Sequence, residues 1–212
     1  MLTFGDALAQ LQGAEAGGFS FSATQAASLL NEGVKRFAAR SEWIKAEVDL
    51  GPTVANQEAY ALPANCVKLK GLEVGSVVYI AVDLLSLWQY KQQGLPGNIN
   101  GVYAERFSED GKIKSFSVYP VPDVAGEPIS GLAVITPEDL EAADNLPFPA
   151  EYNRGPVDYA KGIAYEDVDE NPDSGTYFIK RADERADELR LEAQSRTGSG
   201  PYKIPVATAR LR

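Results

Sequence analysis

The alternation of apolar and polar positions switches from a helical to a strand-like period near Glu42 and returns to helical after Thr136. At the start, Phe4, Leu8 and Leu11 fall at helical spacing before Gly13, Gly17 and Gly18 interrupt the pattern, which predicts a short helix and a loop. Ser22-Ala23-Thr24-Gln25 fits a capping box, in which the Ser22 hydroxyl accepts from the Gln25 amide and the Gln25 side chain reaches back. A helix should therefore begin at Ala23 and run to about Arg40, with Ala23, Ala27, Leu30, Val34 and Phe37 as its apolar stripe and Asn31, Lys35 and Arg36 off it.

From Glu42 the period becomes two: Ile44, Ala46, Val48 and Leu50 alternate with Trp43, Lys45, Glu47 and Asp49, the pattern of a half-buried strand closed by Gly51-Pro52. Further short β-prone runs cover Glu58 to Leu62, Val67 to Val74 and Ser76 to Ile80. Val82 to Gln93 lacks Gly and Pro and carries Leu84, Leu85, Leu87 and Trp88, so a short helix is predicted before Gly94-Leu95-Pro96-Gly97 breaks it. Val102 to Ser108 and Lys112 to Tyr119 flank Glu109-Asp110-Gly111, a hairpin signal because Asp and Gly both tolerate positive φ. Pro120 and Pro122 stop that strand, and Ile129 to Thr136 predicts another; from these runs an antiparallel assembly of five or six strands is expected.

Helices then return. Gly155-Pro156 suits a helix entry, followed by an apolar face of Val157, Ala160, Ile163, Ala164 and Val168 that must end before Pro172. From Thr176 to Gln194, Ile179, Ala182, Ala186, Leu189 and Ala193 form a narrow small-residue stripe suited to close packing on another helix. Gly198-Ser199-Gly200-Pro201 reads as a joint, and Tyr202 to Ala207 alternates like a strand that Pro205 confines to an edge or an extended arm. The order predicts an α+β fold: a helical bundle from the N- and C-terminal helices, a central antiparallel β-lobe and an extended C-terminal arm. The corresponding divisions are residues 1–40, 41–136, 137–197 and 198–212.

Composition narrows the chemistry. With no histidine and a single cysteine, Cys66, an intramolecular disulfide, a Cys/His metal site and a histidine-based catalytic triad are all excluded. Cys66, at the start of an apolar stretch, reads as a small buried hydrophobe. A net charge of −10 opposes generic nucleic-acid binding. The charge is uneven, however: no acid follows Glu192, whereas Arg196, Lys203, Arg210 and Arg212 are basic. No apolar run reaches membrane-spanning length, and Met1 to Asp6 lacks the pattern of a secretory signal, so synthesis in the cytoplasm is expected.

The remaining candidate motifs are weak. Asp167-Val168-Asp169-Glu170-Asn171 resembles the start of a calcium loop, but Pro172 stands where such a loop needs glycine and Phe178 where it needs glutamate. A solvated acidic turn is the simpler reading. Glu138, Asp139, Glu141 and Asp144 look like a surface loop, not an acid and base pair. Gly94-Leu95-Pro96-Gly97 lacks the Lys-Ser/Thr of a nucleotide loop. Trp43, Trp88, Tyr60 and Phe116 lie in patterned segments and are expected to pack in cores. No catalytic residue, cofactor or metal is assigned.

Four stretches carry a resemblance, in order. Leu29 to Phe37 leads into Ser41-Glu42-Trp43-Ile44; Tyr60-Ala61-Leu62-Pro63 precedes a strand; Tyr119-Pro120-Val121-Pro122 ends one; and Leu146-Pro147-Phe148-Pro149-Ala150-Glu151-Tyr152 leads into the helix of Val157-Asp158-Tyr159-Ala160. Together they resemble the head-to-tail adaptor (connector) proteins of tailed bacteriophages, the tubular adaptor-like family, over roughly residues 20 to 195.

The resemblance implies a virion structural protein and no catalytic residues. It implies a ring of subunits, usually twelvefold, that docks beneath the portal protein, extends the DNA channel without binding DNA specifically, and meets a tail or nozzle protein. It also implies an arm reaching the portal, for which Tyr202, Lys203, Ile204, Val206, Arg210, Leu211 and Arg212 are the partner-binding candidates. A basic alternating segment is chemically suited to adding a strand to a partner's edge. The competing readings are a tail-side neck or tail-completion protein, a small metal-dependent enzyme using Asp167, Asp169 and Glu170, and a host-factor binding module.

Overall fold

A computed structural model describes residues 2–12, 21–108, 113–167 and 171–197. The fold is α+β. The described residues of Met1–Ile44 and Thr136–Arg212 form one compact unit, and Lys45–Ile135 form another.

The first unit is helical, with α1 (Phe4–Gln12) and α2 (Ala23–Ser41) from the N-terminal segment. Thr3 caps α1: its hydroxyl accepts from the Asp6 amide at 3.1 Å while the Asp6 carboxylate accepts from the Thr3 amide, a Thr-x-x-Asp box that the sequence reading passed over. Ser22 caps α2 through the expected box. The apolar stripe of α2 starts at Ala26 and not Ala23, and Gly33 joins Leu30, Val34 and Phe37 on the buried side.

A β-lobe helix, α3 (Leu84–Gln93), belongs to the second unit, so the first unit continues with α4 (Arg154–Asp167) and α5 (Pro172–Thr197). α5 begins at Pro172, ahead of Thr176, because the Asn171 side chain caps it by accepting from the Ser174 amide at 3.2 Å and proline suits the first helical position. The expected face of α4 is buried as far as it is described, with Val168 outside the described residues, but the burial is wider than one face. Gly155, Asp158, Tyr159 and Gly162 are buried too, because α4 packs against both α2 and α5. Glycine makes this close approach possible: a Cβ on Gly155 would lie 2.1 Å from the Phe37 ring, and one on Gly33 would lie 2.3 Å from the Pro156 carbonyl oxygen.

The second unit is a seven-stranded sheet built from β1 (Lys45–Pro52), β2 (Ala59–Ala61), β3 (Cys66–Val74), β4 (Val77–Ala81), β5 (Val102–Phe107), β6 (Ile113–Tyr119) and β7 (Pro128–Ile135). Its spatial order is β1-β7-β3-β4-β5-β6-β2. Every pairing is antiparallel except β4 with β5, where Ile80 faces Val102 and Ala81 faces Tyr103 in parallel register. The parallel step follows from α3, since two parallel neighbours need a crossover long enough to return the chain to the same end. One face of the sheet encloses Tyr60, Leu69, Leu72, Tyr79, Phe116 and Ile129, with the Tyr60 and Phe116 rings stacked at 5.6 Å. On the other face Leu87 of α3 packs on Val102 and Ala104. The predicted turn Glu109-Asp110-Gly111 lies outside the described residues.

Candidate functional site

In the helical unit several ionisable groups are engaged in helix packing. Asp158 is only 3% exposed and receives both Arg181 and Arg185 from α5, with the Arg181 Nε at 2.9 Å. The Tyr159 hydroxyl donates to Asp183, and burial together with that hydrogen bond holds it well above the usual tyrosine range. Arg40 of α2 clamps Asp187 through Nε at 3.2 Å and Nη2 at 2.8 Å. Two guanidiniums neutralise the one buried carboxylate, and these contacts together act as a lock among α2, α4 and α5.

The acidic loop is also tied down. Asp139 pairs with Lys35 at 2.6 Å, and the Asp144 carboxylate accepts from the Glu141 amide at 2.7 Å while its backbone oxygen accepts from Phe4. Of the acidic turn, Asp167 ends α4 and Asn171 caps α5, and Val168 to Glu170 lie outside the described residues. Among the described residues no group of three or more His, Cys, Asp or Glu is placed to hold a metal ion, and no helix is long and apolar enough to cross a membrane. The arm candidates Tyr202, Lys203, Ile204, Val206, Arg210, Leu211 and Arg212 also lie outside the described residues.

The β unit differs in leaving recognition chemistry open. β4 bridges β3 and β5 at one end only, through Leu72–Val74 on one side and Val102–Tyr103 on the other. Past Ala81, where β4 ends, a cleft of about 370 Å³ is lined by Leu69 of β3, by Tyr103, Glu105 and Phe107 of β5, and by Asp83 and Leu84 at the start of α3. Glu105 reaches across it, and its Oε1 accepts from the Leu69 amide at 2.6 Å, the bond that a strand carbonyl would make in a complete ladder. Burial pushes the Glu105 carboxyl up, against the opposing pull of the Leu69 amide, Lys68 and Lys70. Burial and the Glu105 charge push the Tyr103 phenol up to about 12, and its hydroxyl is buried with no hydrogen-bond partner among the described residues. Burial likewise raises the Cys66 thiol, which sits 7% exposed as the small hydrophobe expected of it.

Beside the cleft, Ile80, Leu84, Leu85 and Trp88 present an apolar surface. Trp88 is 59% exposed, which corrects its placement in a core. Only one side of α3 meets the sheet, through Leu87, and Trp88 is rotated roughly 100° from it. Trp43, Tyr60 and Phe116 pack as expected. Sequence reading also missed Tyr103 and Glu105, whose signal is an acid alternating with Ala104 on a strand that has apolar residues on both sides of it.

The family model of the SU10 adaptor protein matches residues 3–205. The chain belongs to this family. The SU10 adaptor proteins are phage head-to-tail adaptors, so the chain is a structural component of a phage virion. No curated protein matches it. For an adaptor, surfaces that recognise other chains are the functional sites, and the open cleft and the apolar face around Trp88 are the described features of that kind.

Proposed function

We propose that this adaptor forms a ring beneath the portal, usually twelvefold, that lengthens the DNA channel and presents the tail with its attachment surface. The observation that carries this reading is the family match across residues 3–205. Residues 198–212 act as the portal-binding arm, with Tyr202, Ile204, Val206 and Leu211 as apolar anchors and Lys203, Arg210 and Arg212 as the charges that meet an acidic portal surface. The segment is suited to the role because it carries no acid and alternates from Tyr202 onward. The remaining divisions, 1–40, 41–136 and 137–197, supply the two halves of the bundle and the lobe between them in sequence. The net charge of −10 agrees with a channel wall that repels phosphate and lets DNA slide.

Sedimentation with the cognate portal ring tests the reading. Full-length chain should co-sediment at a ratio matching the portal's symmetry, and a chain ending at Thr197 should not. If neither form binds, the portal-facing assignment is wrong and a tail-side position takes its place.

A further inference from the structure

We propose that the cleft between β3 and β5 is a strand-acceptor site, and that before assembly it holds the segment Tyr202–Ala207 of a second copy of the chain. The inference rests on the reading of residues 198–212 as a strand-adding arm, but not on the portal being its partner.

Two features of the cleft match an extended peptide. The ladder between β4 and its neighbours stops at Ala81, and Leu69 of β3 satisfies its amide with a side chain, Glu105, where a strand would supply a carbonyl. At the rim, Leu84 and Phe107 are 47% and 61% exposed, which gives apolar side chains of an incoming strand a place to pack.

The chain's own arm fits those requirements. Tyr202, Ile204 and Val206 alternate, so they share one side of a strand. Residues 198–212 carry Lys203, Arg210 and Arg212 and no acid, and the cleft lining carries Asp83 and Glu105 against Lys68. Fifteen residues can extend about 50 Å, well beyond the span of the six-residue segment that would occupy the cleft. A portal edge would then displace the arm from the neighbour's cleft, so arms would remain covered until a portal is met.

The test titrates a fluorescent peptide of residues 198–212 with full-length chain carrying Ile204→Asp, which disables the receptor's own segment. Saturable binding is expected, weaker at high salt. Phe107→Ser should weaken it about tenfold and Leu84→Ser about fivefold, each the loss of one apolar anchor at the rim. Val54→Ser, an exposed position elsewhere on the same unit, should leave it unchanged. Phe107→Ser is the discriminating variant, because it truncates a side chain that is 61% exposed and should not destabilise the free protein. No saturable binding, or equal losses at all three positions, overturns the proposal. Portal co-sedimentation reads the arm's portal role separately, so a chain that binds portal but not the peptide retains that role and loses this one.

Discussion

The helical unit and the β unit solve opposite problems with similar amounts of apolar sequence. In the helical unit, glycines and alanines bring α2, α4 and α5 close together, and a buried Asp158 with two arginines fixes how α4 and α5 pack. Among the described residues its large exposed hydrophobics are Tyr177 and Leu191. The β unit instead leaves Val78, Ile80, Leu85, Trp88 and Phe107 on its surface, along with a ladder that stops short. One unit has its interactions closed internally, and the other keeps apolar surface and a sheet edge in reach of another chain. That division suits an adaptor, which needs a fixed body and adhesive surfaces at once.

The sharpest way to break the comparison is to add volume where the helices meet. Gly155→Leu would drive a side chain into the Phe37 ring, which a Cβ alone would approach to 2.1 Å. A loss of about 3 kcal/mol or more is expected in urea unfolding, at the upper end for overpacking because Phe37 is enclosed by Phe148 and Tyr159 and has little room to move. A loss below about 1 kcal/mol would mean that α2 and α4 separate easily and that the helical unit is not the fixed body.

Next in size is Asp158→Ala. It leaves Arg181 and Arg185 facing each other without their carboxylate, and a cost of about 2 to 3 kcal/mol is expected, below the range for fully buried pairs because both guanidiniums reach water. Replacing all three residues by apolar ones of similar size should recover most of the loss. If it does not, the ion cluster contributes specific stability beyond neutralising Asp158.

Both of these positions lie in a part of the chain whose elements were readable. The Ser22 box, the stripe of α2 and the Ile179 to Leu189 stripe of α5 are local patterns, and local patterns decide helices. What α4 hides was not readable. Asp158 looks like any acid on a helix until α5 brings two arginines to it, and the cost of its burial is set by residues more than twenty positions away. The same holds in the β unit. The strands were legible as alternating or short β-prone runs, but the sheet has seven where an antiparallel assembly of five or six was expected; the parallel pairing of β4 and β5 depends on where α3 returns the chain, and the meeting of Glu105 with the Leu69 amide depends on that pairing. The proposed arm is legible in its composition and its alternation alone, and its residues lie outside the described ones.

A smaller effect should separate the cleft from the helical lock by its pH dependence. Burial raises Glu105 in the folded protein above the ordinary carboxyl value of 4.5. Its neutral form is therefore favoured by folding, and that contribution is fully present below pH 4.5 and is lost as pH rises through the raised folded value. Glu105→Gln keeps an oxygen for the Leu69 amide but cannot ionise. Its stability relative to the parent should be near parity at pH 4 and favourable at pH 8, in paired denaturant titrations. A variant that loses stability as pH rises would show that the ionised carboxylate supports the fold.

The smallest expected effect sits at Trp88, and it sharpens the contrast most directly. A tryptophan that is 59% exposed has little packing to lose, whereas Leu87 beside it is 2% exposed and packs on Val102 and Ala104. Trp88→Ser should therefore change stability by about 0.5 kcal/mol or less, while Leu87→Ala should cost about 2 to 4 kcal/mol as a buried truncation. Adjacent positions on one helix would then differ severalfold, because α3 turns one side to the sheet and the other to solvent. Trp88→Ser matters for association instead, since exposed aromatics of this kind are the residues whose truncation most often weakens an interface. A sedimentation experiment that finds the Trp88→Ser adaptor as stable as its parent but deficient in assembly would assign the apolar face of α3 to a subunit or tail contact. Unchanged assembly would place the adhesive surface of the β unit elsewhere, with the cleft as the next position to test.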